Sequence, residues 1–127
     1  MPRFFCYLLA FVATLPLVTT SEAGGEIDFN RDIRPILSDN CYYCHGPDED
    51  KREGDLRLDI RQEAIDAFAI VPGDSADSEL VLRIFHEDPE ELMPRPSTNK
   101  TLSDEEKNLL VRWIDEGGNY AEHWSYV

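Results

Sequence analysis

Apolar side chains recur along this chain in short helical stripes separated by polar, turn-rich stretches. Phe29, Ile33, Ile36 and Leu37 fall at helical spacing, with Arg31, Asp32 and Arg34 between them. Asp28 or Asn30 is placed to cap this segment. Pro35 lies inside it, which predicts a helix that either begins near the proline or kinks there. Leu80, Val81, Ile84 and Phe85 mark a second stripe, with capping candidates across 74–78 and a stop at Asp88-Pro89. The clearest helix follows Leu102. Ser103 and Glu106 match the S-x-x-E capping box, and Asp104 and Glu105 suit the positive end of a helix. Leu109, Leu110, Trp113 and Ile114 then share one face until Gly117-Gly118 ends it. Between the stripes, Leu56, Leu58 and Ile60 alternate with Arg57, Asp59 and Arg61, a brief extended signal. Residues 62–68 have room for a helical turn, and Val71-Pro72-Gly73-Asp74 reads as a tight turn.

The first 23 residues follow a different logic. Arg3 supplies a positive start, Phe4 to Val18 form an apolar run of 15 residues, and Ser21-Glu22-Ala23 places small residues before Gly24. This is the layout of an export signal cleaved before Gly24, and the run is short of the roughly 20 residues that a membrane span needs. Residues 1–23 are therefore read as a signal peptide and 24–127 as the working domain, with an uncleaved anchor as the alternative. The expected location is the periplasm or cell envelope.

Removing that segment sharpens the chemistry. Cys6 leaves with it, so both remaining cysteines sit in Cys41-Tyr42-Tyr43-Cys44-His45. Spacing of this kind, C-x-x-C-H, is the attachment site of a c-type haem: two thiols form thioethers to the porphyrin, and the adjacent imidazole faces the iron. Three rivals use the same residues. A thioredoxin-like redox pair wants a βαβ context, which the pattern lacks. A zinc site needs a fourth ligand, and only His86 or His123 remains, without finger-like spacing. A disulfide between such close cysteines closes a loop too small to stabilise much. The acidic loop from Gly46 to Gly54 invites a calcium reading, but lacks the D-x-D-x-D-G pattern.

Met1 also leaves with the signal, so Met93 is the only methionine in residues 24–127, 52 positions after Cys41. It lies in Leu92-Met93-Pro94-Arg95-Pro96, where two prolines restrict the backbone and lower the ordering cost of presenting a side chain. A thioether is a soft, neutral ligand that raises the potential of haem iron. A gap-filling core role is the alternative for any methionine. His86, at the end of the second stripe, and His123, in the tail, are rival distal ligands.

Charge adds one constraint. The chain carries 26 acidic against 12 basic residues, a net −14; the signal takes one of each sign and leaves that balance unchanged. Nucleic acid and anionic membrane surfaces are poor partners for such a chain. Redox partner proteins with a basic docking patch fit it better.

Taken together, the stretches Phe29 to Leu37, Cys41 to Gly46, Gly54 to Leu58, Val71 to Asp74, Leu92 to Pro94 and Leu102 to Gly117 resemble the planctomycete-type cytochrome c domain, a class I c-type cytochrome-like family. The resemblance implies an all-α, cytochrome c-like fold of three to five helices, with the first and last helices crossing and one covalent haem c in a cleft. It carries Cys41 and Cys44 over as thioether attachments, His45 as proximal ligand and Met93 as distal ligand. The implied activity is one-electron transfer with no catalysis. A haem-based sensor or peroxidatic module is the rival reading. Domains of this type usually stand at the N-terminus of longer multidomain proteins, and Tyr120 to Trp124 resembles the point where those continue.

Overall fold

Asp28 starts the first helix. In the computed structural model, which describes residues 24–122, its carboxylate accepts a hydrogen bond from the Arg31 N–H at 2.8 Å. The chain then makes one wide π-helical turn, Phe29–Ile33, and runs on into α1, Arg34–Asn40. Pro35 accounts for the change of pitch. It has no N–H to offer the carbonyl four residues back, and its ring crowds that turn. The Arg34 N–H bonds instead to the Phe29 carbonyl, five residues back, which widens the helix just before the ring. The proline thus sits in the first turn of α1, and the widened turn precedes it. Phe29, Ile33, Ile36 and Leu37 are all buried, as their spacing predicts.

Three more α-helices follow: α2, Arg61–Asp66; α3, Glu79–Ile84; and α4, Asp104–Asp115. A single 3-10 turn, Pro96–Thr98, precedes α4. No strand occurs among the described residues, so the all-α expectation holds, with the helix count inside the expected three to five. None of these helices is long and apolar enough to cross a membrane. Residues 1–23, read from the sequence as an export signal, lie outside the described residues.

Two expectations need correcting. The alternation at 56–60 makes bends rather than a strand, because only Leu58 is buried and no second strand is there to pair with it. The second stripe ends at Ile84, well before Asp88-Pro89, and Phe85 is exposed rather than packed. The reason is local: the Met93 N–H donates to the Arg83 carbonyl at 3.0 Å, so the returning chain takes the acceptor that another helical turn would need.

The first and last helices meet through aromatic rings. Phe29 stacks on Tyr120 at 4.6 Å between centroids, and Trp113 of α4 lies 5.7 Å from Phe29 and 5.4 Å from Tyr120. Such pairs add stabilisation beyond the area they bury. Their polar ends are satisfied: Trp113 Nε1 donates to the Asn119 carbonyl at 2.8 Å, and the Tyr120 hydroxyl donates to the Leu58 carbonyl at 2.7 Å. Ser78 is fully buried, and it ties the next junction. Its Oγ accepts from the Val71 N–H at 2.8 Å and donates to the Asp74 carbonyl at 2.7 Å, closing the turn that leads into α3. Gly73 holds the positive φ of 83° that this turn requires, and its N–H bonds to the Ile114 carbonyl on α4.

Both bonds of the α4 capping box form. Ser103 Oγ accepts from the Glu106 N–H at 3.1 Å, and Glu106 Oε2 accepts from the Ser103 N–H at 2.8 Å. Gly117 and Gly118 close the other end, their N–H groups bonded to the Ile114 and Trp113 carbonyls. Ser103→Ala should lower stability by about 1 kcal/mol in urea unfolding, the usual cost of a lost N-cap.

Candidate functional site

The turn after α1 is built from its own carbonyls outward. The Cys44 and His45 N–H groups both bond to the Cys41 carbonyl, at 3.2 and 2.9 Å. The chain then loops out and returns across the same turn. The Glu53 N–H donates to the Cys44 carbonyl at 2.8 Å, and the Leu58 N–H to the His45 carbonyl at 2.8 Å. Arg52 completes the clasp, with Nε on the Gly46 carbonyl at 3.0 Å and its terminal nitrogen on the Pro47 carbonyl at 3.2 Å. Gly46 is buried, and a Cβ there would overlap the Tyr42 carbonyl oxygen. Only glycine lets the chain leave the turn this way.

The clasped turn forms one side of a cavity of about 460 Å³. Cys41, Cys44 and His45 line it, Met93 faces it from the proline-rich loop, and Leu56, Leu58, Ala69, Leu80 and Ile84 supply apolar wall. The four residues singled out from the sequence therefore converge on one space. Arg83, Arg95, Glu53 and Glu79 bring charge to its margin. His86 does not line this cavity. It sits beyond α3 in an exposed groove, its Nδ1 accepting from the Asp88 N–H at 3.1 Å. His123 lies outside the described residues.

The side chains arrive in suitable chemical states. Cys41 and Cys44 are not joined to each other. Desolvation pushes the Cys41 thiol up to about 12, so it is held neutral. His45 Nδ1 lies 3.1 Å from the Glu53 carbonyl, and a carbonyl can only accept, so Nδ1 carries the proton and Nε2 keeps a free lone pair. Burial holds the imidazole below its ordinary pKa, against the raising effect of that hydrogen bond, and the positive charge of Arg95 lowers it further. Neutral imidazole is the ligating form. Among the described residues, no group of three or more His, Cys, Asp or Glu side chains converges as a metal site. Among the described residues, Cys41, Cys44 and His45 therefore have no fourth ligand of the kind a zinc site needs.

The sequence pattern did not reveal Gly46, Arg52 or the Glu53 carbonyl as parts of this site. Gly46 carried a signal, a glycine directly after the motif. Arg52 carried none, since one cation in a charged loop looks like any other.

The family model described as planctomycete cytochrome C matches residues 41–97. The likeness to the planctomycete-type cytochrome c domain is thus shown over the segment that holds both cysteines, His45 and Met93. No curated protein and no solved structure matches the chain. The match to a cytochrome c family model implies haem at a coarse level, and the donor set fits one: two unjoined thiols, an imidazole with one nitrogen free, a thioether and an apolar enclosure.

Two outcomes follow. Gly46→Ala should cost about 3 kcal/mol in urea unfolding, because the new methyl group meets backbone rather than a side chain that can move. In protein prepared without haem, stability should fall as pH rises from about 9 towards 12. The unfolded chain releases the Cys41 proton near the ordinary thiol value while the folded chain holds it to about 12, so raising the pH favours unfolding. Cys41→Ser should flatten that part of the unfolding profile.

Proposed function

We propose that this protein carries single electrons outside the cytoplasm, with one haem c joined to Cys41 and Cys44 and ligated by His45 and Met93. The observation that carries the reading is the convergence of these four side chains on one apolar-walled cavity. When bound, the haem supplies a one-electron couple between Fe(II) and Fe(III).

The protein's own residues do the rest. Cys41 and Cys44 fix position, and the backbone bonds of the clasp set the plane of the turn that holds them. The Glu53 carbonyl orients His45 by holding its Nδ1–H and leaving Nε2 to face inward. Pro94 and Pro96 stiffen the segment that presents Met93, and the bond from the Met93 N–H to Arg83 anchors it to α3. Leu56, Leu58, Leu80 and Ile84 exclude water, which lowers the solvent rearrangement that accompanies a change of charge. His45 and Met93, which line the same cavity, would be the two side chains that hold the iron, and a metal held by both would favour electron transfer over substrate binding. Export by way of residues 1–23 belongs to the same proposal.

Intact mass and visible spectra of protein produced alongside a cytochrome maturation system test it. The expected result is a mass with one haem added, and a low-spin spectrum with a sulfur-to-iron band in the oxidised state. Met93→Ala should abolish that band and lower the reduction potential, while His86→Ala leaves both unchanged. A colourless protein, or a band that survives loss of Met93, overturns the assignment.

A further inference from the structure

The helix that walls the cavity has a second face. Leu80 and Ile84 of α3 point into the cavity, whereas Leu82 and Phe85 point out, 50% and 49% exposed. On that outer side lies an open groove of about 600 Å³, lined by Glu79, Val81, Leu82, Phe85, His86 and Glu87 among others. Glu79, Glu87 and Glu91 line it, and Asp88 and Glu90 lie on the chain between the last two, all five exposed, against two cations, Arg83 and Lys107. Arg83 is occupied by ion pairs with both Glu79 and Glu91. Lys107 stands 5.3 Å from the centre of the Phe85 ring. The groove is therefore a small apolar centre inside an acidic rim.

Its position gives the groove a purpose. Glu79 and Arg83 line both the cavity and the groove, so the two spaces share one thin wall. Met93 is bonded through its N–H to the Arg83 carbonyl in that wall. We infer that the outer face of α3, centred on Leu82 and Phe85, is the docking surface for a redox protein with a lysine- or arginine-rich patch around a small apolar centre. The inference rests on the electron-carrier reading and deepens it by naming where, and with what kind of partner, the electron is exchanged. The charges on the rim complement that partner and speed its approach. The two apolar side chains give a contact of the small, transient kind that electron exchange uses. Another acidic stretch, Asp48 to Asp55, also borders the cavity, through Glu53 and Gly54. Its one large exposed ring, Tyr43, lies under Lys51 much as Phe85 lies under Lys107, but residues 47–55 offer no second large exposed apolar side chain as Leu82 does on α3.

The test is a titration of nitrogen-15-labelled, reduced holoprotein with a lysine-rich cytochrome c of the mitochondrial type, also reduced so that no electron moves. At an ionic strength of about 0.01 M, the amides of residues 79–91 should shift on binding, and the shifts should fade as salt is raised. Glu87→Lys with Glu90→Lys should weaken the complex on the order of tenfold, and Leu82→Ser with Phe85→Ser about threefold. Asp48→Lys with Asp50→Lys should change it less than the α3 pair does. All these positions are exposed, and an unaltered haem spectrum confirms that each variant is intact. Shifts centred on 47–55, or α3 variants that bind like the parent, overturn the docking assignment alone. Protein that carries no haem overturns the electron-carrier reading, and the docking inference falls with it.

Discussion

The structure depends on one backbone arrangement, the return of residues 52–58 across the Cys41–Gly46 turn. Helix propensity cannot hold this site. The helices α1, α2 and α3 have seven, six and six residues, and isolated helices shorter than about 12 residues are marginal in water. What fixes the turn is satisfaction of its carbonyls: Cys41 internally, Cys44 by Glu53, His45 by Leu58, and Gly46 by Arg52. Each buried acceptor left without a partner would cost about 1–3 kcal/mol. The loop that looks, from its composition, like a solvated run of charge is exposed along most of its length, yet its Arg52 side chain and Glu53 backbone hold the turn.

That clasp is joined to the helical frame through one residue. Leu58 donates its N–H to His45, and its carbonyl accepts from the Tyr120 hydroxyl. Tyr120 stacks on Phe29, and Phe29 meets Trp113. The junction of first and last helices is therefore two hydrogen bonds away from the residue that presents its imidazole to the cavity. A rigid frame matters here because a ligand held loosely must be ordered again with every change of charge. One hydroxyl stands outside this accounting: the Tyr42 Oη is buried with no partner, and desolvation pushes its pKa up to about 12. Its ring packs against the core, and that contact offsets an unsatisfied oxygen.

The helical part of the fold was legible because it follows local rules. The stripe from Phe29 to Leu37, the Ser103–Glu106 box and the Gly117-Gly118 stop each depend on residues within one or two turns, and each forms as read. The ends of elements set by distant chain were not legible. α3 stops at Ile84 because Met93 returns to Arg83, and nothing near Phe85 signals that. The pairing of alternating residues at 56–60 with a turn rather than a strand is equally non-local. For the site, the four residues with distinctive chemistry were readable from spacing and scarcity. Arg52 and the Glu53 carbonyl were not, since the first binds backbone carbonyls and the second is one, a group that every residue shares.

The net charge of −14 is a poor guide to where this molecule meets others. Exposed charges are screened beyond roughly 8–10 Å at cellular salt, so a partner senses the few side chains nearest its path. What then distinguishes one acidic surface from another is how its cations are used and what lies between its carboxylates. On α3, Arg83 is turned back on Glu79 and Glu91, which leaves Glu87, Asp88 and Glu90 to set the local field. A six-residue helix with Leu80 and Ile84 inward and Leu82 outward, followed at once by the exposed Phe85, has apolar side chains on both its faces. Burying only half of them would suffice for folding. Phe68 and Tyr43 are more exposed still, so what sets Leu82 and Phe85 apart is their place, three residues apart at the wall shared with the cavity.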